Sequence, residues 1–205
     1  MIETLKKYDE VFSQNHSHGD ETSEDVFCFT DFKTRLILSA PHATASFANK
    51  KEKQADLFTG ALVQYLGMKN HISTIIRKKF TPYKCLISDY IEKHGLSSHY
   101  FLDIHGFAKI DDCDVCLGTG LFGATDYPYV KEILDIAKKY NLRAALNHPD
   151  YRGKAGLTGR LQQATEKPLT IQLELHRRLR DFGAFPETVQ NVTLPFLEDI
   201  IKCYG

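Results

Sequence analysis

Two apolar strands that each lead to a histidine constrain most strongly how this chain can fold. One strand leads to His42, and the other ends on His105. A third apolar strand, over residues 169–175, carries Glu174 near its end. In open α/β sheets, sites are built at the carboxyl ends of the strands. The sequence therefore predicts that two imidazoles and a carboxylate meet at one edge of a sheet.

Side-chain alternation separates an apolar face from an ionisable face on two of these strands. Because side chains along a strand point to alternate faces, Asp103 shares a face with His105. On the third strand, Thr170, Gln172 and Glu174 lie opposite an apolar face. Ionisable groups on such a strand are costly to bury unless they are paired or bind a ligand. The alternation favours a function for His105 and Glu174.

Strand and helix patterns alternate along the chain and predict an α/β fold with a mixed, mainly parallel sheet flanked by helices on both faces. Strands are predicted over residues 26–30, 35–40, 72–77, 100–105, 114–118, 143–147 and 169–175. Helices are predicted over residues 52–66, 82–94, 126–140 and 187–204, with Pro195 at the start or a kink of the last one. A length of 205 residues suits one domain, over residues 1–205, better than two.

Composition argues against several classes of partner. The chain has 26 basic and 26 acidic residues, so no global charge favours nucleic acid or an anionic membrane. It has no apolar run of membrane-spanning length and no leader pattern. Its five cysteines are an odd number without a disulfide framework, which is typical of a reducing compartment. We expect a cytoplasmic protein with neither nucleic acid nor membrane as a partner.

Cys113 and Cys116 have the spacing of a redox or zinc motif, but the chain has no second such pair. We interpret the pair as the beginning of a strand. A redox or structural zinc protein built on it would need these thiols to converge with Cys85 or Cys28.

Two polar segments lie outside the predicted elements. Residues 13–25 contain His16 and His18 and are expected to form a surface loop or hairpin tip. Residues 147–160 contain three glycines, one proline, two arginines and one lysine, and this connection is long. It could supply an arginine fork for a carboxylate, from Arg152 or Arg160.

Five short motifs occur in a fixed order along the chain. They span residues 39–43 (SAPHA), 55–59 (ADLFT), 102–106 (LDIHG), 147–153 (NHPDYRG) and 171–174 (IQLE). Together they resemble the ordered motifs of the N-formylglutamate amidohydrolase family, over about residues 35–180. That family belongs with the zinc carboxypeptidase-like hydrolases, which have a mixed sheet flanked by helices. The resemblance implies a zinc-dependent amidohydrolase whose partner is a small-molecule N-formyl or N-acyl amino acid, such as N-formylglutamate.

The resemblance also implies the roles of several residues. His42 and His105 correspond to ligands of one zinc ion, and Glu174 to the catalytic carboxylate. Zinc held by two neutral imidazoles and one carboxylate keeps an open position for water and lowers its pKa toward neutrality. Glu174 would take the proton of that water and later pass it to the departing amine. Apart from the resemblance, Asp103 is two residues before His105 on the same strand face, so we expect it to orient that imidazole.

The third metal ligand is less clearly marked. Many relatives place a glutamate three residues after the first histidine, where this chain has Ala45. Asp56 is our candidate, because the spacing from Asp56 to Thr59 resembles an acidic-x-x-Thr step of the related phage poly-γ-glutamate hydrolases. Glu52 is the alternative, expected four residues earlier on the same helix face.

The substrate is less closely defined than the chemistry. Arg152 or Arg160 is expected to hold the substrate carboxylate, with a polar contact from Asn147 or Gln172. The Asp-x-Asn-Arg segment expected of formylglutamate enzymes is not found between residues 76 and 100. A zinc peptidase or poly-γ-glutamate hydrolase is therefore an alternative, and so is a non-catalytic metal-binding domain on the same scaffold.

Overall fold

A seven-stranded mixed sheet dominates the computed structural model, which describes residues 1–48, 50–109 and 112–204. Its strands are β1 (Phe27–Thr30), β2 (Leu36–Ala40), β5 (Ser73–Arg77), β6 (Tyr100–Phe107), β7 (Val115–Gly118), β8 (Ala144–Leu146) and β9 (Thr170–His176). A separate hairpin consists of β3 (Ser46–Ala48) and β4 (Lys51–Lys53).

The strand order in the large sheet is β1-β5-β2-β6-β9-β7-β8. Strands β5, β2, β6 and β9 are parallel to their neighbours in this series, and β7 is parallel to β8. The pairs β1–β5 and β7–β9 are antiparallel. The predicted α/β class with a mixed, mainly parallel sheet is confirmed, and the carboxyl ends of β2, β6 and β9 lie at one edge.

Helices cover both faces of the sheet. They are α1 (Ile2–Ser17), α2 (Thr59–Asn70), α3 (Ile87–Lys93), α4 (Val130–Lys139), α5 (Leu157–Thr165), α6 (Arg177–Arg180), α7 (Pro186–Thr188) and, after a π-helical turn (Val189–Thr193), α8 (Leu194–Lys202). Pro195 lies in the first turn of α8, as predicted. None of the helices in the described ranges is long and apolar enough to span a membrane.

The two faces of the sheet pack against different helices. Leu102, Ile104 and Leu173 belong to the larger core, which includes residues of α1, α2, α4 and α8. Phe101 lies in a smaller cluster with residues of α3 and α5. Because side chains alternate, His105 points to the same face as Phe101. The ionisable face of β6 and β9 is therefore on the side of α3 and α5.

The prediction of a helix over residues 52–66 was wrong in its first part. Lys51–Lys53 is a strand of the small hairpin, and α2 begins only at Thr59. Asp56 lies in the connection between them. Glu52 and Asp56 therefore do not share a helix face.

Other elements also differ from the prediction. Helix α3 begins at Ile87 instead of residue 82. Helix α1 was not predicted, and its end occupies part of the polar segment predicted as a loop, although the backbone at residues 14–16 is not helical. Helix α5 lies in the connection for which no helix was predicted.

Candidate active site

The two histidines approach each other at the carboxyl edge of the sheet. His42 lies in the turn that follows β2, and His105 is the sixth residue of β6. Their ring centroids are 5.2 Å apart. The predicted convergence of the two imidazoles is present in the structure.

Asp56 joins this pair through its backbone and its side chain. Its N–H donates to the carbonyl of His42 at 2.8 Å, which fixes the connection before α2 against the turn after β2. Its Oδ2 is 3.1 Å from Nδ1 of His105. Glu52 instead lies 3.3 Å from His18, with half of its side chain exposed. Of the two acidic residues, Asp56 and not Glu52 lies beside His42 and His105.

Asp103 holds the other side of the His105 ring. Its Oδ2 is 3.0 Å from Nε2 of His105. Its Oδ1 accepts a hydrogen bond from the hydroxyl of Ser39 at 2.8 Å. Asp103 is fully buried. It therefore fixes the orientation of the imidazole, as alternation along β6 predicted.

Glu174 lies beside His105 on the adjacent strand. The two residues are direct partners in the parallel pairing of β6 with β9. The amide of Gln172 donates to Oε1 of Glu174 at 2.8 Å. Burial raises the pKa of Glu174 to about 7, although the positive charge of His105 acts in the opposite direction. A carboxyl group with such a pKa can both accept and release a proton near neutral pH.

Burial and charge affect the two imidazoles differently. Burial and the nearby charge of Lys53 hold the pKa of His42 well below its usual value, so its ring is neutral at pH 7. Burial also disfavours the charged form of His105, but the carboxylates of Asp103 and Asp56 outweigh it and raise its pKa well above the usual value. The hydrogen bond from His105 lowers the pKa of Asp56 to about 2, against the effect of burial.

The donor set has the chemistry of a zinc site. Zinc is bound by histidine nitrogens and carboxylate oxygens, and a ligating histidine commonly donates its other N–H to a carboxylate. In a zinc site here, His42, His105 and Asp56 would supply the donors, and Asp103 would supply the supporting carboxylate. Within the residues described, however, no three His, Cys, Asp or Glu side chains are already arranged as a metal site. In the structure, Nδ1 of His105 is hydrogen-bonded to Asp56. A metal ion bound by both residues would replace this hydrogen bond.

A cavity of about 570 Å³ opens in front of the histidines. His42 and His105 lie in its wall, together with residues from the β3–β4 hairpin, α3 and α5. Its cationic lining residues are Lys50, Lys53, Arg77, Lys84 and Arg160. The described lining contains no Asp or Glu, and Asp56 and Glu174 lie beside His105 without being among the lining residues. The cavity is therefore suited to an anionic ligand.

The predicted substrate-binding residues lie in different places. Arg160 lines the cavity that contains the histidines. Asn147, Arg152 and Gln172 line a second cavity of about 540 Å³. Within the protein, Asn147 accepts from the N–H of Thr119, and Arg152 donates to the carbonyl of Gly120. Their roles in substrate binding stay predictions.

Two buried arginines near the site were not singled out from the sequence. Arg77 ends β5, lines the cavity in front of the histidines and donates to the carbonyls of Pro41 and Cys85. Arg180 ends α6. The signal available for Arg77 was a charged residue directly after Ile75 and Ile76 at the end of a predicted strand. Arg180 gave no such signal, because it lies among other arginines.

The two central cysteines form a small cluster of their own. The sulfur atoms of Cys113 and Cys116 are 3.1 Å apart and pack with Phe107. Cys85 lines the cavity in front of His42 and His105, and Cys28 donates to the carbonyl of Ile76 in β5. Cys28 packs against the larger core and Cys85 against the smaller cluster on the other face of the sheet, apart from Cys113 and Cys116, so the four thiols do not converge. The geometry does not favour a structural zinc site built on these thiols.

The chain resembles known proteins in its fold and not in its sequence. No protein-family model matches the sequence, and no curated protein matches it. A bacteriophage poly-gamma-glutamate hydrolase has a similar structure, with a TM-score of 0.55 at 17% identity over 88% of this chain and 87% of that chain.

Two further solved structures are similar. An N-formylglutamate amidohydrolase from Ralstonia eutropha JMP134 has a TM-score of 0.54 at 12% identity, covering 86% of this chain and 98% of that chain. A structure described as zinc-free apo YndL has a TM-score of 0.50 at 13% identity, covering 87% and 92%. Likeness at these identities shows that the fold is shared over most of the chain.

Proposed function

We propose that this chain is a zinc-dependent amidohydrolase that cleaves an N-formyl or N-acyl amino acid with an acidic side chain, such as N-formylglutamate. The observation that carries the proposal is the convergence of His42, His105 and Asp56, with Glu174 paired beside His105. Two imidazoles, a carboxylate ligand and a separate carboxylate are the parts that zinc-assisted amide hydrolysis needs.

Zinc bound by His42, His105 and Asp56 would supply a Lewis acid and a water of lowered pKa. Glu174 accepts the proton of the attacking water and returns it to the departing amine. Gln172 fixes one oxygen of Glu174 through its amide, so the carboxylate is held in one orientation. Asp103 fixes the ring of His105, which keeps this imidazole oriented to bind the metal.

The charges in the cavity support an anionic substrate. Lys53 and Arg160 lie on different walls of the cavity, one on the hairpin and one on α5. One neighbour is described as an N-formylglutamate amidohydrolase and another as a poly-gamma-glutamate hydrolase. Both names refer to glutamate-derived compounds, which carry carboxylates at neutral pH. We therefore expect the scissile amide to lie at the histidines and the substrate carboxylates to meet the cations.

A poly-γ-glutamate hydrolase is the second candidate. The observation that favours it is the spread of the cations, since Lys50, Lys84 and Arg160 come from three separate segments that line one cavity. Such an arrangement can contact more than one carboxylate along a chain.

The proposal is tested by zinc analysis of the purified protein together with hydrolysis assays. We expect about one zinc per chain, loss of most of it in His105→Ala, and hydrolysis of N-formyl-L-glutamate in preference to N-formyl-L-leucine. Faster cleavage of poly-γ-glutamate would favour the second candidate. Zinc binding without hydrolysis of any of these amides would support a non-catalytic metal-binding domain, and absence of zinc binding would contradict both enzymatic proposals.

A further inference from the structure

The guanidinium of Arg180 contacts the backbone of three separate segments. Its Nε donates to the carbonyl of Leu175 at 3.2 Å, and its Nη2 donates to that of Phe107 at 3.4 Å. Its Nη1 donates to the carbonyl of Leu57. One side chain therefore connects the end of β9, the end of β6 and the connection that precedes α2.

Each of these carbonyls lies close in sequence to a residue of the proposed site. Leu57 directly follows Asp56, and Leu175 directly follows Glu174. Phe107 is two residues beyond His105. The three segments held by Arg180 are thus those that carry Asp56, His105 and Glu174.

Arg180 is buried, and the carboxylates of Asp56, Glu174 and Asp181 attract it without a direct ion pair in the described residues. Its exposed fraction is 6%. In the described ranges, its hydrogen bonds go to carbonyl oxygens and no ion pair to a carboxylate is formed. Burying a charge is costly unless it is paired and hydrogen-bonded, so a well-packed apolar residue would serve a purely structural purpose at least as well.

Gly106 provides the space that the guanidinium occupies. A Cβ atom at this position would lie 2.3 Å from Nε and 2.5 Å from Cζ of Arg180. Because side chains alternate along β6, the guanidinium contacts the face of this strand opposite to the His105 side chain. The glycine that follows His105 therefore allows Arg180 to lie directly behind the site.

We propose that Arg180 is a positioning residue that holds the segments of Asp56, His105 and Glu174 in one fixed arrangement. Arg180 lies behind Gly106, on the face of β6 opposite to the His105 side chain, so it acts through these three residues and not on the substrate. The effect on zinc binding and turnover rests on the proposed function. The connection between the three segments rests on the geometry alone.

Hydrogen–deuterium exchange of the metal-free protein tests this connection independently of activity. The variants are Arg180→Met and Gly106→Ala. Arg180→Met removes all three donors, whereas Gly106→Ala retains the guanidinium but forces it out of its position. Arg177→Met is the matched control, because Arg177 is on the same short helix but is 61% exposed and pairs with Asp181. We expect faster exchange in the peptides that carry Asp56, His105 and Glu174 in both test variants, and wild-type exchange there in the control.

Zinc affinity and steady-state kinetics test the consequence for the site. Loss of residues that orient metal ligands typically lowers metal affinity by about 10 to 100-fold. We expect a loss in this range for Arg180→Met, a fall in kcat with KM nearly unchanged, and partial recovery in Arg180→Lys. If Arg180→Met does not fold, Arg180→Lys and Gly106→Ala provide the same comparison against wild type.

Two results would overturn the inference about Arg180. One is that exchange in the test variants becomes faster only in peptides around α6. The same conclusion follows if exchange in the peptides of Asp56, His105 and Glu174 becomes equally fast in the control variant Arg177→Met. The other is wild-type zinc affinity and kcat in a folded Arg180→Met protein. A wild-type protein that binds no zinc contradicts the proposed function instead, and the exchange comparison then decides on Arg180 by itself.

Discussion

His105 and Glu174 are direct partners across the parallel strands β6 and β9. Partners on parallel strands point to the same face of the sheet, so the Glu174 carboxylate lies next to the imidazole that Asp56 and Asp103 contact. A metal-binding domain without catalysis has no need of a carboxyl group at this position. The pairing therefore favours a hydrolytic site.

The third ligand can be identified by comparing two acidic residues. Asp56→Ala should lose most of the bound zinc, because the loss of a direct ligand costs at least the roughly 10 to 100-fold that outer contacts cost. Glu52→Ala is the control, since Glu52 is half exposed and pairs with His18. Zinc content and affinity of the two variants are the measurements. Loss of zinc in Glu52→Ala with retention in Asp56→Ala would reverse the assignment.

Asp103 should affect the metal without binding it. In Asp103→Asn, the amide can no longer accept from His105 as a carboxylate does, so we expect zinc affinity to fall by about 10 to 100-fold. Competition with a chelator measures this change. Ser39→Ala, which removes one hydrogen bond to Asp103, should have a smaller effect. Equal zinc affinity in Asp103→Asn and wild type would contradict the orienting role.

Substitutions of Lys53 and Lys51 test whether the substrate carboxylate contacts a cation in the cavity. Both lie on β4, but Lys53 lines the cavity and Lys51 does not. Lys53→Gln should lower kcat/KM for N-formyl-L-glutamate by about tenfold, the effect of losing roughly 1.4 kcal/mol of interaction. The loss should diminish at high salt, which screens exposed charges. Lys51→Gln should behave as wild type, and equal losses in the two variants would argue against a local contact.

Asp114 should contribute stability that depends on pH. Its buried carboxylate accepts from Arg143 and Arg178, and these interactions outweigh burial and lower its pKa to about 2. Because the folded pKa lies below the usual value of 3.8, this stability is present above about pH 4 and decreases as the pH falls toward 2.

Asp114→Asn should therefore lower the free energy of unfolding by about 1–3 kcal/mol at pH 7. Denaturant unfolding of both proteins from pH 7 to pH 3 measures the difference. We expect it to be constant down to about pH 4 and to shrink below that value. A difference that stays constant down to pH 3 would show that the ionised carboxylate is not responsible.

The strands were predictable because their physical signals are local. In β2, every residue is buried and four of the five are apolar, and such a run is typical of the interior of a parallel sheet. Alternation along β6 predicts that Asp103 and His105 share one face, and the two contact each other there. The edge of the sheet where the site lies followed from strand direction.

The elements that were missed lack such local signals. Lys51–Lys53 has three exposed charged residues and no apolar alternation, so its pairing with β3 depends on tertiary contacts. Helix α5 contains Gly159, where a Cβ would lie 1.9 Å from the carbonyl oxygen of Lys154. This close approach of the preceding loop explains why a glycine interrupts the helical pattern. The bonds of Arg180 join segments far apart in sequence, and no local pattern predicts them.

Turnover of Glu174→Gln is the measurement that tests the proposed mechanism most directly. Glutamine keeps the size of the side chain but cannot accept the proton of a water molecule. The protein should remain folded, bind zinc and substrate as wild type does, and lose about 10² to 10⁴-fold in kcat. Zinc content, melting temperature and hydrolysis of N-formyl-L-glutamate are measured on one preparation. Near-normal kcat in a folded, zinc-loaded Glu174→Gln protein would contradict the catalytic role of Glu174.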